Sequence, residues 1–228
     1  MAEHADAEAD EKQERAAATL HRLITDIDEH PNDYRPYYDL SAFLIQLKSY
    51  AQAEELLMKA LGLFADRSHT AKDTLTYGLG NVYYAAGEFT KAIQQFQQVT
   101  DPALKQDAYI MLGQSYYGEK NYGKALAFLI TAHDHAKQDP ELNRLIGDCL
   151  LASGDLQAAA DFYQQTVAAN PNDAAAHFNL GVIELSNGHR EQAEAEFERA
   201  RALDENYFMT HRERIADIEK VLRKQPKE

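Results

Sequence analysis

One cysteine in 228 residues leaves nothing for a disulfide framework, and Cys149 alone cannot complete a zinc site. Positive charge is also scarce. The chain has 23 Lys and Arg against 37 Asp and Glu, a formal net charge of -14, so a polyanion such as nucleic acid would be repelled. Long apolar runs are missing: nowhere do about 18 consecutive residues stay apolar, so no membrane-spanning helix is expected. The acidic opening from Met1 to Lys12 has neither the cationic nor the apolar region of a secretory leader. These absences point to a soluble, cytoplasmic protein in a reducing compartment, with neither nucleic acid nor membrane as partner.

Catalytic signatures are equally thin. Neither G-x-S-x-G nor a phosphate-binding loop occurs, and Gly78-Leu79-Gly80 falls inside a helical pattern rather than after a strand. The nine histidines contain no i, i+4 pair with a carboxylate, and His133 and His135 would point to different sides of a helix. His177 reads as a packed core residue and Cys149 as a small buried thiol. No enzyme, metal or cofactor is therefore expected.

What is present is ordinary globular material, 45% apolar and 26% charged, arranged with helical periodicity. Residues 1–11 carry no large apolar side chain past Met1 and are expected to form a disordered acidic tail. Over 12–30 the set Ala17, Leu20, Leu23, Ile24 and Ile27 predicts one amphipathic helix, stopped by Pro31-Asn32-Asp33. That triplet returns at Pro171-Asn172-Asp173, the first sign of internal repetition.

Small residues set the period. Ala53, Ala92, Ala125, Ala159 and Ala193 recur with spacings of 39, 33, 34 and 34, and Ser41, Gly80, Gly113, Gly147 and Gly181 keep the same phase. Each of the second series follows an aliphatic residue, from Leu40 through Leu79, Leu112 and Ile146 to Leu180. Small side chains at both positions let two antiparallel helices approach closely. Gly87, Asn121, Gly154 and Gly188 supply turns between the paired helices. Asp101-Pro102 and Asp139-Pro140 each combine an N-cap with proline at the first helical position. The longer step of 39 inserts residues near Asp66–Thr70, which either lengthens a connection or extends the next helix.

Within Thr76–Phe96, the residues Leu79, Gly80, Tyr83, Ala92 and Phe96 are spaced as in the tetratricopeptide signature, with Thr76 where tryptophan is usual. Five in-phase units extend this match over residues 34–207, at 34–67, 73–102, 106–139, 140–173 and 174–207. Residues 208–228 follow as a capping helix, with Phe208, Ile215, Ile218, Val221 and Leu222 on one stripe and Arg212, Arg214, Lys220, Arg223 and Lys224 around it. The chain thus resembles a tetratricopeptide repeat protein. The resemblance implies an all-α fold, a right-handed superhelical solenoid of stacked antiparallel helix pairs, whose first helices line a groove for a peptide or protein.

Family positions five, nine and twelve carry that groove onto this sequence. They are Tyr38, Ala42 and Ile45; Tyr77, Asn81 and Tyr84; Ile110, Gln114 and Tyr117; Arg144, Asp148 and Leu151; and Phe178, Val182 and Leu185. Tyrosine offers contact area at low entropic cost together with a hydroxyl, and Asn81 and Gln114 could hold main-chain amides. The alternative for this row is packing between the helices themselves.

Family members that clamp the carboxylate tail of heat-shock chaperones need Lys, Asn, Asn, Lys and Arg at set positions. Units two to four give Tyr77, Asn81, Met111, Glu141 and Leu145, so the clamp is absent. Arg144 and Asp148 form an i, i+4 pair. Glu184, at an eleventh position that favours tyrosine, is expected to pair with Arg212 or Arg214 rather than stand buried alone. The expected function is a non-enzymatic protein-interaction scaffold holding a peptide or partner helix, favoured if its flanks are basic. The alternative is a regulatory receptor whose curvature changes on binding a signalling peptide or other ligand.

Overall fold

The computed structural model describes residues 2–134 and 136–222, with side chains from Glu11 onward, so His135 and the 223–228 segment with Arg223 and Lys224 lie outside the described residues. Among the described residues there are thirteen α-helices and no strand. The chain divides into two compact units, residues 1–119 and 120–228, and the boundary falls inside the third repeat.

The first unit holds α1 (Ala2–Glu29), α2 (Arg35–Gln46), α3 (Tyr50–Phe64), α4 (His69–Ala85), α5 (Phe89–Phe96) and α6 (Pro102–Gly118). α2, α4 and α6 lie side by side, with α3 seated against α2 and α4, and α5 against α4 and α6. α1 packs on α2. It runs from Ala2, so the segment expected as a disordered tail instead continues the helix. The physical reason is that Ala and Glu, which dominate it, are strong helix formers needing no buried face to keep helical geometry. The insertion after α3 resolves as an extended helix. α4 starts at His69 under the Ser68 cap, whose side chain accepts from the Ala71 N–H, and is 17 residues long against 12 in α2.

The second unit contains α7 (Tyr122–His133), α8 (Pro140–Ser153), α9 (Leu156–Ala169), α10 (Ala174–Ser186), α11 (Arg190–Leu203), α12 (Glu205–His211) and α13 (Glu213–Leu222). Successive helices from α7 to α11 pack pairwise, and α12 and α13 lie against α10. The single capping helix expected over 208–228 is therefore two, broken at Arg212.

Local signals explain most boundaries. Asp101 and Asp139 cap α6 and α8 ahead of their prolines, accepting from Ala103 and from Glu141 and Leu142. Gly87, Gly154 and Gly188 take φ of 77, 89 and 85°. Asn121 does not: at φ -92° it caps α7 through Lys124, and the left-handed residue is Lys120 at φ 60°. Lys48, at φ 59°, is its counterpart in the first repeat.

Every member of the alanine series is buried, at 0 or 1% exposure, and the five aliphatic residues that precede the small series are buried at 0 to 6%. The glycines serve the rings opposite them. A Cβ added at Gly80, Gly147 or Gly181 would stand 2.5, 2.8 or 2.6 Å from Phe96, Tyr163 or Phe197. Gly80→Ala is expected to cost about 1–3 kcal/mol in overpacking, of which about 1 is recovered as helix propensity. A net loss of about 1 kcal/mol in a denaturant titration is the expected result. A gain would show that the ring has room to move.

Candidate functional site

In the first unit, positions five, nine and twelve place one stripe each on α2, α4 and α6, because residues four and then three apart share a helix face. Tyr38, Ile45, Tyr77, Asn81, Tyr84, Ile110 and Gln114 are all half-buried, Tyr117 is 40% exposed, and Ala42 is exposed. The Tyr38 ring lies over Gly78 of α4, 3.0 Å from where a Cβ would stand. Tyr77 packs on Phe96 with ring centroids 5.4 Å apart, and Tyr84 on Phe89 at 5.7 Å. Part of Tyr77 and of Tyr84 thus belongs to the α4–α5 packing, and part of Tyr38 to the α2–α4 contact, neither of which the repeat signature alone reveals.

What remains free of that packing is polar and convergent. The Asn81 amide lies beside the hydroxyls of both Tyr38 and Tyr77, where it favours their ionised forms. Burial raises both phenols above their ordinary range, and the negative charge of Asp107 on α6 adds to the rise. Tyr84 is raised by burial alone. All three stay protonated at neutral pH and can donate hydrogen bonds. Asp107 lies outside the row of positions five, nine and twelve, yet it occupies position two of its repeat, one turn before Ile110.

The second unit is arranged differently. Phe178, Val182 and Leu185 are buried at 0, 4 and 4% exposure in a cluster with Ala193, Phe197 and Ala200. Tyr207, Phe208, Ile215, Ile218 and Leu222 of α12 and α13 pack against it. These three positions are therefore not an open binding surface: the C-terminal helices cover them, a contact the repeat phase carries no record of. Leu151 is half-buried.

Arg144 and Asp148 do meet, at 3.3 Å, and Arg144 also reaches Asp173 at 3.4 Å. Asp148 accepts from the Tyr163 hydroxyl at 2.7 Å and from the Asn179 amide at 3.1 Å. Asn179 in turn accepts from Arg214 at 3.1 Å. Burial drives the Asp148 carboxyl above its ordinary range, against the opposing influence of Tyr163, Arg144 and Arg214. Tyr163 carried a sequence signal for this network, since a phenol replaces the Phe or Leu of sister repeats and its hydroxyl needs a buried partner.

The remaining singular residues have structural partners. Glu184 pairs with His189 at 2.7 Å rather than with Arg212 or Arg214, because Arg214 is drawn to Asn179. His177 is buried between Glu196 at 2.6 Å and the Pro171 carbonyl at 3.1 Å. Burial and the neighbouring Asp148 push the Cys149 thiol up to about 12, which leaves it without thiolate character at neutral pH. Among the described residues no group of three or more His, Cys, Asp or Glu is placed to hold a metal ion. Among them, too, no helix is long and apolar enough to cross a membrane.

Three tetratricopeptide repeat models match this chain, over residues 34–101, over 77–132, and over 116–173 with 150–208. The chain belongs to the tetratricopeptide repeat family. Its stacked helix pairs are the repeats of that family, a scaffold that generally mediates protein interactions. Tetratricopeptide repeat protein 16 of Homo sapiens is 28% identical over 145 residues, covering 58% of this chain, and its Macaca fascicularis counterpart is 28% identical over 144. The chain spans 16% of the length of these curated relatives.

Among solved structures, YrrB, a TPR protein with an unusual peptide-binding site, is 25% identical with a TM-score of 0.60, covering 84% of this chain and 97% of its own. The APC/C hetero-tetramer Cut9–Hcn1 has a TM-score of 0.67 at 18% identity, covering 82% of this chain and 37% of its own. MamA has a TM-score of 0.61 at 17% identity, covering 74% of this chain and 96% of its own. The last two share the fold.

Proposed function

We propose that this tetratricopeptide protein is a non-enzymatic scaffold that captures a peptide or partner helix on the face formed by α2, α4 and α6. The observation that carries the reading is the cluster in which the Asn81 amide sits beside the hydroxyls of Tyr38 and Tyr77, whose rings pack on Gly78 and Phe96. A half-buried amide and neutral phenols beside apolar Ile45, Tyr84 and Ile110 suit a main chain flanked by apolar side chains. Gln114 and Tyr117 extend that surface along α6. Asp107 at its edge and the acidic charge of the chain favour a partner with basic flanks, chiefly through the association rate. YrrB, described as having a peptide-binding site on the same fold, supports the reading by analogy.

The test uses peptides selected from a random library on the full chain. The combined variant Tyr38→Phe, Tyr77→Phe and Asn81→Ala keeps the rings in place and removes the polar cluster. Affinity for the selected peptides is expected to fall about tenfold or more, with helix content unchanged by circular dichroism. Undiminished binding would move the function to another surface.

A further inference from the structure

The positions that form the candidate site in the first unit are also present in the second, where the chain covers them itself. Phe178, Val182 and Leu185 line one stripe of α10 and are almost completely buried. The helices that bury them are not. No residue of α12 or α13 is buried, and Met209 and Val221 are 45 and 59% exposed. A fully covered seat beneath a partly exposed cover is the pattern of a receptor face and its ligand, because the cover contributes little that would hold it if a competitor took the seat.

The seat also has a polar centre. Asn179, 4% exposed, gives its amide N–H to Asp148 and to the Tyr163 hydroxyl, both at 3.1 Å, and offers its oxygen outward to the Arg214 guanidinium. Arg214 also stands over the Phe178 ring, 5.9 Å from its centroid. Asp148 and Asp173 provide the negative charge behind it, and Arg144 balances part of that charge at 3.3 and 3.4 Å. Planar recognition of an amide oxygen next to a ring face suits a guanidinium better than an ammonium. Around this contact Phe208 packs on Phe178 and Phe197, with centroids 5.9 and 6.3 Å away, and Ile215 and Ile218 follow on the next turn.

We propose that α12 and α13 are a resident, exchangeable ligand, and that the α10 face beneath them is a second binding site, specific for an amphipathic helical segment of this broken form carrying an arginine. The occupant is a partner segment built, like α12 and α13, of two short helices, with an aromatic residue on the first and, on the second, an arginine followed by aliphatic residues one and four places later. Binding requires the partner to displace the chain's own C-terminal helices, so the site is closed until a competitor with this chemistry is present. It lies in a different unit from the α2–α4–α6 face, and its test uses different variants, so the two readings stand or fall separately.

The probe is a fluorescein-labelled peptide with the sequence of residues 204–222, titrated into the full chain and followed by anisotropy. Wild type should bind it weakly. Arg214→Ala, which removes the polar anchor of the resident helices, and Ile218→Glu, which removes an apolar one, should each bind it at least about tenfold more tightly. In both variants, amide exchange over residues 205–222 should accelerate while α10 and α11 keep their protection. A probe with Ala in place of the arginine should lose about tenfold in affinity for the Ile218→Glu chain. Equal probe affinity for all three chains would overturn the proposal. So would absence of binding to the Ile218→Glu chain once residues 205–222 exchange freely, or a probe without the arginine binding equally well. Concentration-dependent dimers formed without any gain in probe binding would overturn it in favour of helix exchange between copies.

Discussion

Phe178→Ala is expected to destabilise the second unit by about 3–5 kcal/mol, the range for emptying a fully buried aromatic site. The ring has 0% exposure and is touched from several sides. Phe197 lies 5.5 Å away between centroids, Tyr207 6.0 Å, Phe208 5.9 Å and His211 5.9 Å. Removing it opens a cavity at the junction of α10, α11 and α12, and relaxation cannot fill it without shifting rings already packed on one another. The measurement is urea denaturation followed by tyrosine fluorescence, with amide exchange of α10 to attribute the loss to this unit. The repeat phase taken alone makes Phe178 a ligand contact, and an exposed contact residue would change stability by no more than about 0.5 kcal/mol. A loss that small would refute its buried role.

Asp73→Ala is expected to cost about 2–3 kcal/mol, as the loss of charge-assisted hydrogen bonds to a buried carboxylate. Asp73 is 2% exposed and accepts from the Thr100 and Asp101 N–H groups, both at 2.6 Å, and from the Thr100 hydroxyl at 3.1 Å. One carboxylate thereby pins the turn between α5 and α6 to α4. Burial pushes this carboxyl up, but the bonds from Thr100 and Asp101 outweigh it and hold the group below its ordinary range. An acid depressed in the folded state stabilises the fold above the unfolded pKa, near 3.9. That contribution is lost as the pH falls through the lower folded value, because the unfolded chain takes up the proton first. Denaturation curves collected from pH 6 down to about pH 2 should show this acid-side loss in wild type and a shallower one in Asp73→Asn, which keeps an acceptor but not the charge. Parallel pH profiles would show that Asp73 contributes no charge-dependent stability.

The repeat framework was legible because it is written in residue size. An alanine or glycine at a fixed phase marks where backbones approach, and that requirement is local to each helix pair. The turn signal was read one place late at Asn121, since asparagine both tolerates positive φ and caps helices. The phase itself points to Lys120, which matches Lys48, Gly87, Gly154 and Gly188 in the other repeats. The site was legible only as a row of positions. Nothing in the spacing distinguishes α4, whose row keeps Asn81 beside tyrosine hydroxyls, from α10, whose row lies under helices arriving some 30 residues later. Glu184 shows the same limit at short range. Its partner His189 is five residues away, but the chain bends between them at Gly188, and a helical wheel does not show that.

The glycines beneath Phe96, Tyr163 and Phe197 constrain the order in which such repeats can change. In the first repeat the facing pair is Ser41 and Leu57, and Ser41 fits a side chain there, its hydroxyl donating to the Tyr38 carbonyl at 2.7 Å. An aliphatic partner therefore tolerates either a small side chain or none, whereas a ring leaves no space for a Cβ unless it shifts. A path that installs the ring after the glycine avoids the close contact, and returning a Cβ once the ring is in place is expected to cost stability. Each aromatic repeat is in this sense a one-way step, and the repeats that carry Leu57 and Leu129 are the ones in which it has not been taken.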